Sequence, residues 1–150
     1  MAEKLGLIDV QPLSPRTVDG RAAGCGVIGY LPVEENSAQF LQRVKQTFGC
    51  ECLMHNEPLE RPIQCVALAG GAAGEFLADA MHQEADAFIT GEMRYHDYFG
   101  HEQDIQIAVC GHYESEQFTM EIFRDLLFES MPDLPVFTTG VCTNPVKYLI

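Results

Sequence analysis

His112 and Glu116, four residues apart in the stretch Val109-Cys110-Gly111-His112-Tyr113-Glu114-Ser115-Glu116, are the side chains best suited to chemistry. Positions i and i+4 of a helix share a face, so an imidazole and a carboxylate at this spacing can reach one divalent metal ion. From Phe118 onward, Phe118, Ile122, Phe123, Leu126, Leu127 and Met131 fall at helical spacing and form one stripe. Continuing that helix backwards at about 100° per residue sets Glu116 at the margin of the stripe, His112 nearer its centre and Glu114 well away. The phase predicts that His112 and Glu116 face inward and that Glu114 faces water. A second reading stays open: Glu114 and Glu116 offset the positive end of the helix dipole, and His112 is a hydrogen-bonded turn residue. Two ligands alone do not make a metal site.

The elements that must position this pair alternate in type. Residues 63–69 read as a strand, Gly70-Gly71-Ala72-Ala73-Gly74 as a small-residue turn, and the next segment as a helix burying Phe76, Leu77, Ala80 and Met81. Residues 87–90 form a strand, and Gly91 turns into a short helix holding Tyr95, Tyr98 and Phe99. Residues 105–110 are the third strand and feed the His112 helix. Such alternation predicts an α/β fold with a mostly parallel sheet, right-handed crossovers and helices packed on it. Residues that follow the carboxyl ends of parallel strands gather at one edge of the sheet. Glu92, His96, His112 and Glu116 are therefore expected to share a cleft, unless His96 is an ordinary helix residue bonded to a neighbour. His55, His82 and His101 have no acidic or histidine partner at useful spacing.

Upstream, residues 1–26 carry Pro12, Pro15, Gly20 and Gly24 with little periodicity and read as a connector, which leaves 27–150 as the α/β domain. Within it, residues 27–31 are a strand stopped by Pro32. Ser37 is the expected cap of a helix with the stripe Phe40, Leu41, Val44 and Phe48, ended by Gly49. Residues 51–55 form a second short strand, and 136–139 an edge strand.

A chain of 150 residues, 47% hydrophobic, is one globular domain in length. Nine basic against 22 acidic residues give a net charge of −13, which opposes association with nucleic-acid phosphates and anionic membrane surfaces. Neither a signal peptide nor a membrane-spanning run is recognisable, so the expected address is cytoplasmic. Of the six cysteines, Cys65 and Cys110 lie in apolar runs, and reduced thiols are expected throughout. Cys50-Glu51-Cys52 is too closely spaced for a zinc knuckle and lacks a second pair. The glycine-rich turn at 70–74 invites a phosphate-loop reading, but it lacks the Gly-Lys-Ser/Thr ending and the Gly-x-Gly-x-x-Gly pattern. A close-packed turn is the competing reading.

Three successive motifs, Ala69-Gly70-Gly71-Ala72-Ala73-Gly74, then Ala85-Asp86-Ala87-Phe88-Ile89-Thr90-Gly91-Glu92-Met93-Arg94-Tyr95-His96-Asp97, then Gly111-His112-Tyr113-Glu114-Ser115-Glu116, resemble those of the Nif-three-like (YbgI-like) dinuclear-metal-centre proteins. These are also catalogued as GTP cyclohydrolase 1 type 2 homologues. The resemblance runs from about residue 27 to the C-terminus and implies that His112 and Glu116 are metal ligands. In that family the other ligands, two adjacent histidines and an aspartate, belong to an N-terminal half. No His-His pair occurs here. The chain therefore resembles the C-terminal portion of a longer protein, a truncated product or half of a split one, with no room in the connector for the domain that some relatives insert there.

With nitrogen and oxygen ligands, zinc, iron, manganese and nickel are all chemically suitable, two ions per complete site as the resemblance implies. Two such ions would supply a hydroxide nucleophile, and the family's catalogued activity is hydrolytic opening of the GTP imidazole ring. A nucleotide or other small molecule is the implied substrate, with His96 as proton carrier or substrate contact. The missing half is the implied partner, and this chain alone is expected to bind metal weakly and to turn nothing over. The alternative class is a noncatalytic interaction module, since the family assembles into toroidal hexamers and exposed apolar surface also drives association.

Overall fold

The computed structural model describes residues 1–149. A short helix α1 (Ala2–Leu5) precedes strands β1 (Ile8–Val18) and β2 (Arg21–Glu35), helix α2 (Ser37–Phe48) and strands β3 (Met54–His55) and β4 (Ile63–Ala69). A single 3₁₀ turn (Gly74–Phe76) leads into α3 (Leu77–His82), followed by β5 (Ala87–Thr90), a second 3₁₀ turn (Tyr95–Tyr98) and β6 (Gln106–Val109). The helices α4 (His112–Glu116) and α5 (Thr119–Ser130) end the regular structure. The strands form one six-stranded sheet in the order β1-β2-β4-β5-β6-β3.

The α/β class is as expected, but the sheet is mixed. Only the β4-β5 and β5-β6 pairs are parallel, while β1-β2, β2-β4 and β3-β6 are antiparallel. Apart from the exposed Gln64, the parallel strands are buried on both faces and are mostly apolar, with Thr90 and Gln106 as the buried polar residues. Alternate residues supply the two cores. Val66, Leu68, Ile89 and Ala108 pack with Phe40, Val44 and Phe48 of α2, and Ala67, Phe88, Ile107 and Val109 pack with Leu77 and Ala80 of α3. Phe76 and Met81, expected in the core, are only partly buried at its edge.

Residues 1–26 are not a connector. Asp19 and Gly20 both have positive φ (51° and 73°), the conformation of a two-residue hairpin turn, and join β1 to β2. Pro12 and Pro15 lie within β1, an edge strand, which is where a sheet tolerates proline. The strand expected at 27–31 is thus the middle of a much longer one.

Helix α2 is capped by Asn36, not Ser37. The Asn36 side chain accepts from Gln39 N at 3.0 Å, and Asn36 N donates to Gln39 Oε1 at 3.3 Å. Ser37 is buried and donates to Leu59 O. Gly49 terminates the helix with φ 66°, as expected. The strand at 51–55 shrinks to the pair Met54–His55, and residues 136–139 form no strand.

The long helix expected from His112 is two helices, broken at Gln117-Phe118. Phe118 packs against Phe48 with ring centroids 6.2 Å apart, and Lys4 Nζ sits 4.1 Å from its centroid. Beyond it the apolar stripe of α5 is exposed, with Ile122 at 59% and Phe123 at 62%. Periodicity identifies which side of a helix is apolar; it does not supply the surface that covers it.

Candidate metal centre

The site is built from three turns that leave the carboxyl ends of β4, β5 and β6 at one edge of the sheet. They are tied together by two residues. Gly71 O accepts from Ala73 N, Gly91 N and Glu92 N, each at 3.0 Å, and from Thr90 Oγ1 at 3.3 Å. Ser115 Oγ accepts from Gly71 N at 2.9 Å and donates to His112 O at 2.8 Å, which fastens α4 onto the first turn. With its amide engaged in this way, the glycine-rich segment is a close-packed turn and not an open phosphate cradle.

This stitching converges three side chains. His112 Nε2 lies 3.2 Å from Glu116 Oε2, across one turn of α4, and His112 Nδ1 lies 2.6 Å from Glu92 Oε1. The side chains of His112 and Glu116 are about half exposed, 49% and 53%, and face a cavity of about 520 Å³. Its far wall comes from Met120 and the irregular segment around Val141 and Pro145. The Glu92 hydrogen bond above all raises the His112 pKa above its ordinary value; desolvation opposes it, and the negative fields of Glu116 and Glu92 add to the rise.

Gly71 makes the close approach possible. Its φ is +67°, and a Cβ there would collide with Glu116 Oε1 and lie 3.5 Å from His112 Nε2. The space a side chain would fill is thus the space next to the two donor atoms. A nitrogen and an oxygen donor about 3 Å apart, each bonding at about 2.0–2.2 Å, are suitably separated to share one divalent ion. Among the described residues no third histidine, cysteine, aspartate or glutamate converges on the same point. Glu92 lies on the other ring nitrogen.

Glu114 departs from expectation. It is buried, 7% exposed, accepts from Asn144 Nδ2 at 3.0 Å and occupies the space a Cβ on Gly111 would need. The break at Gln117-Phe118 uncouples the phase of α4 from that of α5, so extrapolating the α5 stripe backwards misassigns all three side chains: His112 and Glu116, expected to face inward, are exposed, and Glu114 is buried. The relation of His112 to Glu116 is unaffected because α4 contains both.

His96 does not join the cleft. It sits exposed on the second 3₁₀ turn, 5.5 Å from the Tyr95 ring and 6.5 Å from the Phe99 ring, and lines a separate cavity of about 300 Å³ with Arg94, Asp97 and His101. All six cysteines are free. Cys50 is buried and Cys52 exposed, so that pair points apart. Gly71 and Ser115 as organisers, and Glu92 as the partner of Nδ1, were not foreseen. The one sequence signal for them is the crowding of glycines at all three strand ends.

A mixed α/β sheet carrying a histidine-carboxylate cluster on its strand-end turns defines the class. The family model for Duf34/NIF3 (NGG1p interacting factor 3) matches residues 1–145, and the chain belongs to that family. It is 29% identical over 141 residues to a protein of Halalkalibacterium halodurans named GTP cyclohydrolase 1 type 2 homolog, covering 91% of this chain and 38% of that one. Its fold is similar to that of Staphylococcus aureus hypothetical protein SA1388, with a TM-score of 0.82, 15% identity, and 99% and 62% of the two chains covered. Similar also is protein ybgI, described as of unknown function, with a TM-score of 0.78, 22% identity, and 97% and 55% covered. The chain spans well under half the length of the curated relative.

Proposed function

We propose that this chain carries part of a divalent-cation site, with His112 and Glu116 as ligands, and that it acts within a metal-dependent hydrolase of the GTP cyclohydrolase 1 type 2 kind. The reading is carried by the 3.2 Å approach of His112 Nε2 to Glu116 Oε2 beside the side-chain-free surface of Gly71, at the wall of a cavity of small-molecule size. The name borne by the Halalkalibacterium relative supports the reaction class. Two ligands leave a coordination sphere incomplete, so the remaining ligands come from the portion of the relatives' length that this chain does not span.

Bound divalent ions would lower the pKa of a coordinated water and supply a hydroxide nucleophile near neutral pH. Zinc, iron, manganese and nickel all accept this nitrogen and oxygen donor set. The test is metal content by elemental analysis, and nucleotide hydrolysis, for the chain co-expressed with the complementary half of a relative. His112→Ala and Glu116→Ala are expected to lose metal and activity together. Equal metal and equal turnover in His112→Ala would remove the residue from the site, and two tightly held metals in the isolated chain would overturn the need for the other half.

A second reading rests on the exposed face of α5. Ile122, Phe123 and Leu126 are exposed and fall on one side of the helix, which suits a noncatalytic role in a homo-oligomer.

A further inference from the structure

The cation-site reading leaves Glu92 without a role, although its carboxylate makes the shortest of the contacts to His112. A neutral imidazole carries one N–H, and the hydrogen bond made by one ring nitrogen decides what the other can do. Glu92 Oε1 stands 2.6 Å from Nδ1, while Nε2 faces Glu116 Oε2 at 3.2 Å. Both carboxylates can only accept, but the Glu92 contact is the shorter by 0.6 Å, so the neutral ring keeps its proton on Nδ1 and Nε2, facing Glu116 and the cavity, is the nitrogen that gives its proton up to a cation. We propose that Glu92 is a positioning residue that selects the Nδ1–H form of His112 and so presents Nε2 as an electron-pair donor to a divalent cation.

The backbone around Glu92 is fixed to serve this purpose. Glu92 N donates to Gly71 O, and Gly91 is enclosed so tightly that a Cβ there would lie 2.6 Å from Ser115 Oγ and 2.8 Å from Gly71 O. The turn that aims Glu92 at Nδ1 is therefore the one that holds Gly71 beside Glu116 and Nε2. Carboxylates hydrogen-bonded to the second nitrogen of a metal-binding histidine fix its ring orientation and raise its basicity, and their loss costs about 10–100-fold in metal affinity. Glu92 itself is half exposed, so its replacement leaves the core untouched. The consequence for metal rests on the proposed cation site; the choice of ring form does not.

The two are separated by one pair of measurements on the 150-residue chain. Nitrogen-15 spectra of histidine-labelled protein in mildly alkaline solution, with the His112 signals identified by their disappearance in His112→Gln, report which nitrogen carries the proton. Wild type is expected to show Nδ1–H, and Glu92→Ala to shift toward Nε2–H with an unchanged far-ultraviolet spectrum. Glu92→Gln, which keeps an oxygen acceptor, is expected to fall between them. Zinc titration by calorimetry should then weaken about 10–100-fold in Glu92→Ala. An Nε2–H form in wild type, or identical ring form and zinc affinity in wild type and Glu92→Ala, overturns the role of Glu92. If the ring form responds as expected but His112→Ala and Glu116→Ala bind zinc as wild type does, the cation site falls and the orienting role survives.

Discussion

At the scale of single residues the site depends on a missing side chain. Gly71 takes a φ of +67°, and its Cβ would overlap Glu116 Oε1. Gly71→Ala is expected to destabilise the fold by about 1–2 kcal/mol through the left-handed backbone alone. It should also push the Glu116 carboxylate from Nε2 and weaken divalent-cation binding, a pair of effects measurable by urea unfolding and zinc titration on the same sample. A variant that binds zinc normally would show that the close approach is incidental.

A buried thiol and a phenol set a second residue-scale expectation. Burial raises the pKa of Cys65 above its ordinary 9.0 and of Tyr98 above 10.0. A group whose folded pKa exceeds its unfolded one contributes stability that is complete below the unfolded value and lost as pH rises toward the folded one. Urea midpoints are thus expected to hold up to about pH 8 and to fall as pH passes 9 and 10. A midpoint that rises in that range would contradict the assignment.

At the scale of elements, the parallel strands β4, β5 and β6 are what bring the turns together, and their packing is testable where it is densest. Phe88 is fully buried in β5, and Phe88→Ala is expected to cost about 3–5 kcal/mol, read as a fall in the urea midpoint at unchanged m-value. A loss under 1 kcal/mol would mean that the second core is loosely packed. Asp86 anchors the start of the same strand: its Oδ2 accepts from Gln64 N at 2.9 Å and Cys65 N at 2.8 Å, and Arg61 pairs with Oδ1.

This is also where legibility from sequence divides. The three parallel strands and α2 could be read because mostly apolar runs and helical periodicity state burial directly. The β1-β2 hairpin was hidden by Pro12 and Pro15, which look like interruptions until the strand is known to lie at the sheet edge. The Asp19-Gly20 turn was its available signal. Of the site, the His112-Glu116 pair was legible as i and i+4 on one helix. The burial of Glu114 and the displacement of His96 were not, because both depend on where a helix breaks and how a turn is aimed, and no periodicity encodes either.

At the scale of the whole molecule, a net charge of −13 coexists with an apolar face on α5. No helix among the described residues is long and apolar enough to cross a membrane. If the α5 face is a contact surface between copies, sedimentation velocity at rising concentration is expected to show association that Ile122→Glu and Phe123→Glu each reduce. Identical behaviour of wild type and both variants would remove this face from any assembly.

The most direct test is where a cation binds. Anomalous diffraction from crystals soaked in zinc is expected to show a peak within about 2.0–2.2 Å of both His112 Nε2 and a carboxylate oxygen of Glu116, with Glu92 on Nδ1 of the same ring. Zinc bound elsewhere with this position empty, or bound to Nδ1 with Glu92 displaced, would contradict the account.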